Sequence, residues 1–158
     1  MKKKILHLEK NRYSKDSLSI LKKNFNVTFL DINCQKELIN FLKINSFYGI
    51  FTKLGLDLNK KILEYQSELK FIASPTTGLN HIDTDYTRIR KINVISLKNE
   101  DEFLKTVKST AEHTWAILLM LIRNLDSAFS DVKNGFWRRE PFLANELNGK
   151  TIGIIGYG

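Results

Sequence analysis

Short apolar runs alternate with amphipathic stretches along the first hundred residues. Runs rich in β-branched and aromatic residues predict five strands, at Lys4–Leu8, Val27–Ile32, Tyr48–Thr52, Leu69–Ser74 and Asn93–Leu97. Apolar residues at helical spacing predict four helices between them, at Ser14–Asn24, Gln35–Lys43, Asn59–Gln66 and Asp83–Lys91, with Asp83 as an N-cap. This alternation is typical of an α/β protein with a doubly wound five-stranded parallel sheet, whose ligands bind at the carboxyl ends of the strands.

The pattern changes after Leu97. A charged stretch at Asn99–Val107 predicts a helix, and Ser109 and Glu112 have the spacing of a capping box at the start of the next one. The apolar run Trp115–Ile122 predicts that this second helix continues through Asn124, buried on most sides between two domains or two subunits. The following stretch, residues 131–148, is expected to be irregular.

The last eight residues combine an apolar run with a Gly-x-Gly pair. Thr151–Ile155 predicts a buried parallel strand, and Gly156 and Gly158 fit the first two glycines of a phosphate-cradling turn. A lone strand cannot bury itself, so we expect the chain to be the front part of a longer nucleotide-binding protein.

Composition narrows the class of protein. The 158 residues are 42% hydrophobic and 27% charged, which argues against disorder, and no apolar run is long enough to span a membrane. The net charge of +8 is spread along the chain without interleaved aromatic residues, so nucleic-acid binding is disfavoured. The single cysteine, Cys34, fits a reducing cytoplasm. One cysteine and three scattered histidines are too few and too far apart to form a zinc or iron site, so no metal site is predicted.

Two predicted strand ends carry candidate ligand groups. The turn after the fourth strand contains Thr76, Thr77 and Gly78, whose hydroxyls and exposed amides would suit an anion, although a plain strand-to-helix turn would use the same residues. Lys53 follows the third strand at the same edge, where a lysine is usually solvated. Together, these two strand ends make a carboxylate or phosphate pocket plausible.

In order and spacing, these motifs resemble the D-isomer-specific 2-hydroxyacid dehydrogenase family, which includes phosphoglycerate dehydrogenase-like enzymes. The resemblance is carried by residues 69–72, Thr76–Asp83, Asn93–Val94, Ser109–Thr114, Leu118–Asn124 and Glu146–Gly158. It implies a flavodoxin-like substrate-binding domain at 1–98, linking helices at 99–148 and the start of an NAD- or NADP-binding Rossmann domain at 149–158.

The resemblance also implies site residues. Lys53 and Leu54 match one substrate-contacting loop of the family, and a second such loop comprises Thr76, Thr77, Gly78 and Leu79. Thr110 matches a contact beside the nicotinamide, and Gly156 and Gly158 match the dinucleotide fingerprint. The long helix resembles the one that packs in the family's homodimer.

The family's catalytic Arg, Glu and His lie downstream of the glycine-rich turn, so no catalytic residue is expected in this chain. We therefore expect a substrate-domain fragment, inactive alone, of an oxidoreductase that transfers hydride between nicotinamide and a 2-hydroxy or 2-oxo acid. A further departure is the stretch Ile95–Lys108, which is longer and more charged than the family's usual loop.

Two alternatives remain open at this point. The first is a stand-alone flavodoxin-like binding or regulatory module. The second is a dehydrogenase of the same fold acting on a phosphorylated or nucleotide-linked substrate, since Lys53 would serve phosphate as well as carboxylate.

Overall fold

A parallel five-stranded sheet in the order β2-β1-β3-β4-β5 forms the centre of the first hundred residues. In the computed structural model, which describes residues 1–9 and 13–156, the strands are β1 (Lys4–His7), β2 (Asn26–Phe29), β3 (Gly49–Phe51), β4 (Phe71–Ala73) and β5 (Asn93–Ile95). This is the flavodoxin-like strand order, so the predicted fold class is confirmed. The strands are shorter than predicted because each ends where its hydrogen bonds to the neighbouring strand end. In β2, for example, the last hydrogen bond to β1 is donated by the amide of Leu30 to the carbonyl of His7.

Four helices connect the strands, at α1 (Lys15–Asn24), α2 (Gln35–Ile44), α3 (Lys60–Leu63) and α4 (Thr84–Ile89). Three of them begin at a side-chain cap that satisfies an amide of the first turn. The side chains of Ser14, Asn59 and Asp83 accept hydrogen bonds from the amides of Ser17, Ile62 and Tyr86, respectively. The predicted N-cap role of Asp83 is therefore confirmed.

One face of the sheet carries the main hydrophobic core. Leu6, Ile50 and Ile72 are fully buried there. They pack in one cluster with side chains from the helices and loops: Leu38, Leu42, Phe47, Leu56, Leu58, Ile62, Leu63 and Ile82. Packing on this face holds β1, β3 and β4 in place, and the loops of the candidate site begin at the ends of these strands.

Gln66 is a buried polar residue within this core. Its Oε1 accepts a hydrogen bond from the amide of Phe47 at 3.0 Å, and its Nε2 donates to the carbonyls of Leu42 and Asn45, both at 2.8 Å. One side chain thus satisfies backbone groups at the end of α2 and at the start of β3.

The opposite face of the sheet is aromatic. The imidazole of His7 stacks on Phe51 with ring centroids 5.0 Å apart, and the ring of Phe71 covers Gly49 so closely that an added Cβ would lie 2.2 Å from it. His7 is fully buried, its Nδ1 accepts a hydrogen bond from the amide of Glu9, and its Nε2 has no hydrogen-bond partner among the described residues.

Residues from Glu102 onward form a second compact unit, whereas residues 1–101 form the first. Helix α5 (Asp101–Leu104) begins at the boundary, within the longer and more charged stretch noted in the sequence. Helices α6 (Ser109–Ile122) and α7 (Leu125–Lys133) follow, with one 3₁₀ turn at Glu140–Phe142.

The structure corrects four predictions in this second unit. Helix α6 ends at Ile122 rather than continuing through Asn124, because Asn124 adopts a left-handed conformation with φ of 51°. Helix α7 and the 3₁₀ turn extend into residues 131–148, which were expected to be irregular. No apolar side chain of α6 is buried among the described residues, and its burial between two domains or two subunits stays a prediction, because it depends on a second body.

The capping box was also predicted wrongly. Lys108 is the N-cap, with helical φ and ψ of −97° and −13° and no side-chain cap bond. Ser109 is therefore already inside the helix, and the amide of Glu112 is satisfied by the carbonyl of Lys108 at 3.0 Å instead of by the Ser109 hydroxyl.

The segment 151–155 forms no strand. A strand requires a hydrogen-bonded neighbour, and no described residue pairs with this segment. The predicted first strand of a Rossmann domain is therefore not formed in this structure.

Candidate functional site

Loops after β1, β3 and β4 meet at the carboxyl edge of the sheet around a cavity of about 310 Å³. Its lining residues are Glu9, Tyr13, Thr52, Leu54, Pro75 and Thr76. Parallel α/β sheets bind their ligands at this edge. Among the residues proposed from the sequence, Leu54 and Thr76 line the cavity.

The loop after β3 is a tight turn that presents its backbone. The amide of Leu56 donates to the carbonyl of Lys53 at 3.3 Å, and Gly55 occupies the third position of the turn with φ of 88°, which favours glycine. Leu54 stands at the turn with 62% of its surface exposed. The amides of Leu54 and Gly55 donate no hydrogen bond to described residues, so they are available to a ligand.

The ammonium group of Lys53 is directed to the loop after β2. Its Nζ lies 3.2 Å from a carboxylate oxygen of Asp31, 3.1 Å from the carbonyl of Ile32 and 2.7 Å from the side-chain oxygen of Asn33. These contacts use all three donors of the ammonium group. Lys53 therefore holds two loops together, and its charge is not among the groups lining the cavity.

The loop after β4 is exposed at Thr77 and Gly78, while Leu79 packs against the core. Gly78 does not adopt a left-handed conformation, and an added Cβ would meet nothing within 4 Å. The conformation of Gly78 is therefore one that other residues can adopt. The open space beside its Cα is accessible to a ligand.

Two carbonyls of this loop are held from within the protein. The carbonyl of Thr76 accepts a hydrogen bond from the amide of Leu97 at 3.0 Å, and that of Gly78 accepts one from the Thr76 hydroxyl at 2.8 Å. Because a trans peptide places its C=O and N–H on opposite sides, the amides of Thr77 and Leu79 point away from these partners. Neither amide donates a hydrogen bond to a described residue, so both are free donors.

A chain of side-chain hydrogen bonds supports the same loop. The hydroxyl of Ser74, which is buried, lies 2.8 Å from the hydroxyl of Thr76 and 3.0 Å from Nε2 of His81. Burial lowers the pKa of His81, and the carboxylate of Asp57 opposes this effect. No partner for His81 was predicted from the sequence, because its contact with Ser74 depends on how the loop folds back.

Two groups near the end of β1, the imidazole of His7 and the phenol of Tyr13, are neutral at pH 7. Burial lowers the pKa of His7 to about 4, while burial and then the charge of Glu9 raise the pKa of Tyr13. Tyr13, Glu9 and Thr52 line the cavity without having been predicted from the sequence. The pairing of β1 with β3 brings Glu9 and Thr52 to the same edge. A rule that examines the residue just after every predicted strand would have found Glu9, whereas Thr52 is the last residue of its predicted strand.

The candidate cofactor residues lie in the second unit. Thr110 is exposed in the first turn of α6, and its carbonyl accepts a hydrogen bond from the Thr114 hydroxyl. Gly156 has φ of 84°, a conformation that favours glycine, and an added Cβ would meet nothing within 4 Å. Gly158 lies outside the described residues.

The described residues contain no group of three or more His, Cys, Asp or Glu side chains placed to hold a metal ion. In the same part of the chain, no helix has the length and apolar character needed to cross a membrane.

Comparisons with known proteins agree on one family. Residues 5–145 match the catalytic domain described as "D-isomer specific 2-hydroxyacid dehydrogenase". A D-3-phosphoglycerate dehydrogenase from Archaeoglobus fulgidus is 30% identical over 124 residues, which cover 78% of this chain and 22% of that protein. The chain spans about a fifth of the length of the curated relatives that it matches first.

Solved structures share the fold. The apo structure of D-lactate dehydrogenase from Escherichia coli has a TM-score of 0.72 at 20% identity and covers 98% of this chain and 48% of its own. An acyclic imino acid reductase in complex with NADPH and D-Arg has a TM-score of 0.73 at 23% identity, covering 98% and 49%.

Proposed function

The chain belongs to the D-isomer specific 2-hydroxyacid dehydrogenase family, and we propose that it forms the substrate-binding wall of an oxidoreductase that acts on a 2-hydroxy or 2-oxo acid. The observation that carries this proposal is the set of unpaired amides at the carboxyl edge of the sheet, on Leu54, Gly55, Thr77 and Leu79. Hydrogen bonds from several amides to a carboxylate are short and charge-assisted, so this set suits the carboxylate of the substrate.

The division of labour within the proposal follows from the geometry. The loops after β3 and β4 hold the carboxylate through backbone donors, and the cavity beside Leu54 and Thr76 receives the rest of a small acid. Lys53 has a supporting role through Asp31 and Asn33, and contributes to the site by fixing the loop whose amides bind.

NAD or NADP is the proposed cofactor, with Thr110, Gly156 and Gly158 as the residues of this chain that would contact it. A nicotinamide, when bound, would supply or accept the hydride at C2 of the acid. The conformation of Gly156 fits this assignment, because a positive φ without a neighbouring side chain leaves the backbone open to a phosphate. The NADPH bound to the imino acid reductase of the same fold supports the same assignment.

The chain alone is expected to be inactive. No residue of it matches the Arg, Glu and His that carry proton exchange and carbonyl polarisation in the family. The purified 158-residue protein should therefore oxidise no 2-hydroxy acid with NAD or NADP, although it binds the acid. Measurable turnover by the purified chain, with contaminating enzyme excluded, would contradict this.

The binding proposal can be tested by amide NMR. In a titration of the ¹⁵N-labelled chain with D-lactate, the signals of Leu54, Gly55, Thr77 and Leu79 should move together. Lactamide is the matched control, because it keeps the hydroxyl but lacks the carboxylate charge, and it should move them much less. A well-dispersed spectrum in which these four signals stay fixed at tens of millimolar lactate would refute the proposal.

A phosphorylated substrate is the second candidate. The curated relatives matched first are named D-3-phosphoglycerate dehydrogenase, and free amides bind phosphate as well as carboxylate. Parallel titrations with 3-phosphoglycerate and phosphite distinguish the two: phosphite acting on the same four amides more strongly than lactate would favour phosphate recognition.

We also propose that the protein acts as a homodimer in the cytoplasm. Helix α6 exposes a band of large apolar side chains, with Trp115 50%, Ile117 53% and Leu121 74% exposed. An exposed patch of this kind favours association. The cytoplasmic location depends on the single free cysteine, Cys34.

A further inference from the structure

The side chain of His81 is connected to the loop after β4 by three successive hydrogen bonds. Nε2 of His81 lies 3.0 Å from Oγ of Ser74, which lies 2.8 Å from Oγ1 of Thr76, which lies 2.8 Å from the carbonyl oxygen of Gly78. The chain of bonds therefore runs from a residue at the far end of the loop to the middle of it.

Counting protons gives this chain of hydrogen bonds, the His81 relay, a single direction. A hydroxyl has one proton to donate, and that of Thr76 is used on the Gly78 carbonyl, which can only accept. The bond between Ser74 and Thr76 must then be donated by Ser74. With its proton used, Ser74 can only accept from His81, so Nε2 of His81 carries a proton.

The starting point of the chain is fixed by the backbone. The carbonyl of His81 accepts a hydrogen bond from the amide of Leu58 at 2.8 Å, and the next residue, Ile82, forms an isolated parallel bridge with Leu58. His81 is thus tied to a buried part of the core, since Leu58 and Ile82 are 1% and 5% exposed.

The end point is the peptide plane that presents the Leu79 amide. While the Thr76 hydroxyl holds the Gly78 carbonyl, the Leu79 N–H on the opposite side of the same peptide must point outward. If His81 no longer donated to Ser74, nothing would fix the orientation of the Ser74 hydroxyl, and its proton could turn away from Thr76. The Thr76 proton could then turn to Ser74, and the Gly78 peptide would be free to rotate.

We propose that His81 is a positioning residue for the substrate: by donating to Ser74 it holds the Ser74 proton on Thr76, which prevents reversal of this chain of bonds and keeps the Leu79 amide turned toward the carboxylate. The anion-binding part of this inference rests on the proposed function, whereas the direction of the relay does not. His81 acts through Ser74 and Thr76 and does not itself touch the acid.

The test uses four variants of the ¹⁵N-labelled chain. His81→Phe removes the donor, and His81→Gln keeps an N–H near the position of Nε2. Ser74→Ala/His81→Phe removes both the donor and the alternative acceptor. Thr87→Val is the matched control, because Thr87 is a buried threonine whose hydroxyl donates to the carbonyl of Thr84, away from the loop.

Without ligand, long-range ¹H–¹⁵N spectra should show the proton of the wild-type His81 ring on Nε2. The Leu79 amide signal should move in His81→Phe, and should stay near its wild-type position in His81→Gln, in the double variant and in Thr87→Val. A proton on Nδ1 alone, or an unmoved Leu79 signal in a folded His81→Phe, would overturn the relay. If His81→Phe does not fold, the ring tautomer and the double variant decide.

With D-lactate, His81→Phe should bind about tenfold more weakly, the effect of losing one charge-assisted hydrogen bond. His81→Gln and Thr87→Val should bind within about twofold of wild type. If wild-type chain binds no acid, the proposed function fails while the ligand-free spectra still judge the relay. If wild type and His81→Phe bind equally well, the relay fails and the proposed function stands.

Discussion

The two units of this chain differ sharply in how their apolar side chains are used. Every buried residue that the structure describes lies between Ile5 and Ile92, whereas no described residue from Glu102 onward is buried. Yet α6, with eight apolar residues in succession from Trp115 to Ile122, is the most continuously apolar helix of the chain.

The difference shows that hydrophobicity does not by itself bury a side chain. In the first unit, α2 has a polar and an apolar face, and its Leu38 and Leu42 are fully buried against the sheet. In the second unit, the described residues provide no sheet, and only α7 and short irregular segments accompany α6. The first unit should therefore determine the free energy of unfolding, and the second should determine association.

Replacement of Gln66 by Leu should have the largest effect on the first unit. The change leaves the buried amide of Phe47 and the carbonyls of Leu42 and Asn45 without the partners they have now. Since each stranded group costs about 1–3 kcal/mol, we expect a loss of roughly 3–5 kcal/mol in urea unfolding.

Gln35 provides the control for this prediction. It also makes two hydrogen bonds, to the carbonyl and the amide of Asp57, but it is exposed. Gln35→Leu should cost less than about 1 kcal/mol, because water replaces the lost partners. Equal losses for the two variants would show that burial does not set the value of these bonds.

Acid should weaken the first unit through His7. Its folded pKa of about 4 lies below the ordinary 6.5 because the ring is buried, so the unfolded chain binds the additional proton between these pH values. Stability is therefore complete above about pH 6.5 and declines as the pH falls toward 4. Since one pKa unit corresponds to about 1.4 kcal/mol, the loss from pH 7 to 4 should be roughly 3 kcal/mol.

His7→Phe isolates this contribution. Phenylalanine keeps the stacking on Phe51 but does not titrate. The difference in unfolding free energy between wild type and His7→Phe should therefore grow as the pH falls, when both are measured in the same buffers. Parallel pH curves for the two proteins would rule out His7 as the source of acid sensitivity.

The first unit was largely predictable because its signals are local. Strand and helix positions follow from periodicity, and the cap at Asp83 follows from a side chain next to the helix. The capping box at Ser109 failed because the backbone of Lys108 is already helical, which a spacing rule does not detect. The strand at 151–155 failed because a strand depends on a partner from elsewhere.

The candidate site was predicted only in part, for the same reason. Thr76 was found because it lies in the turn after a predicted strand, and Leu54 because it matches a substrate-contacting loop of the family; both line the cavity. The direction of the Lys53 side chain was not predicted, because its acceptors come from the loop after β2, some twenty residues earlier. The hydrogen bond between His81 and Ser74 was not predicted either, because it depends on the folded path of the loop that contains both residues.

Two glycines of the first unit should respond differently to the same change. Gly49→Ala places a methyl group against the ring of Phe71, 2.2 Å away, so we expect a loss of about 1–3 kcal/mol from overpacking. Gly78→Ala meets nothing within 4 Å and should leave unfolding nearly unchanged. Its methyl group should instead obstruct the acid, weakening D-lactate binding several-fold in the NMR titration.

This pair separates packing from ligand approach. Unfolding is measured in urea without ligand, and binding is measured well below the unfolding transition. A Gly78→Ala chain that binds lactate as well as wild type would mean that the acid does not approach this side of the loop. A Gly49→Ala chain of wild-type stability would mean that Phe71 moves aside at little cost.

The smallest effect on folding is expected from the second unit. Ile117 and Leu121 are 53% and 74% exposed on α6, so replacing both by Lys removes no buried contact among the described residues. The urea midpoint of the first unit should stay within experimental error, since exposed substitutions usually change stability by less than about 0.5 kcal/mol. Light scattering should nevertheless detect a change from dimer to monomer, because two apolar side chains of the proposed contact become charged. A wild-type chain that is already monomeric at high concentration would contradict the proposed dimer. A loss of stability in the first unit on the double replacement would show that the two units are coupled through α6.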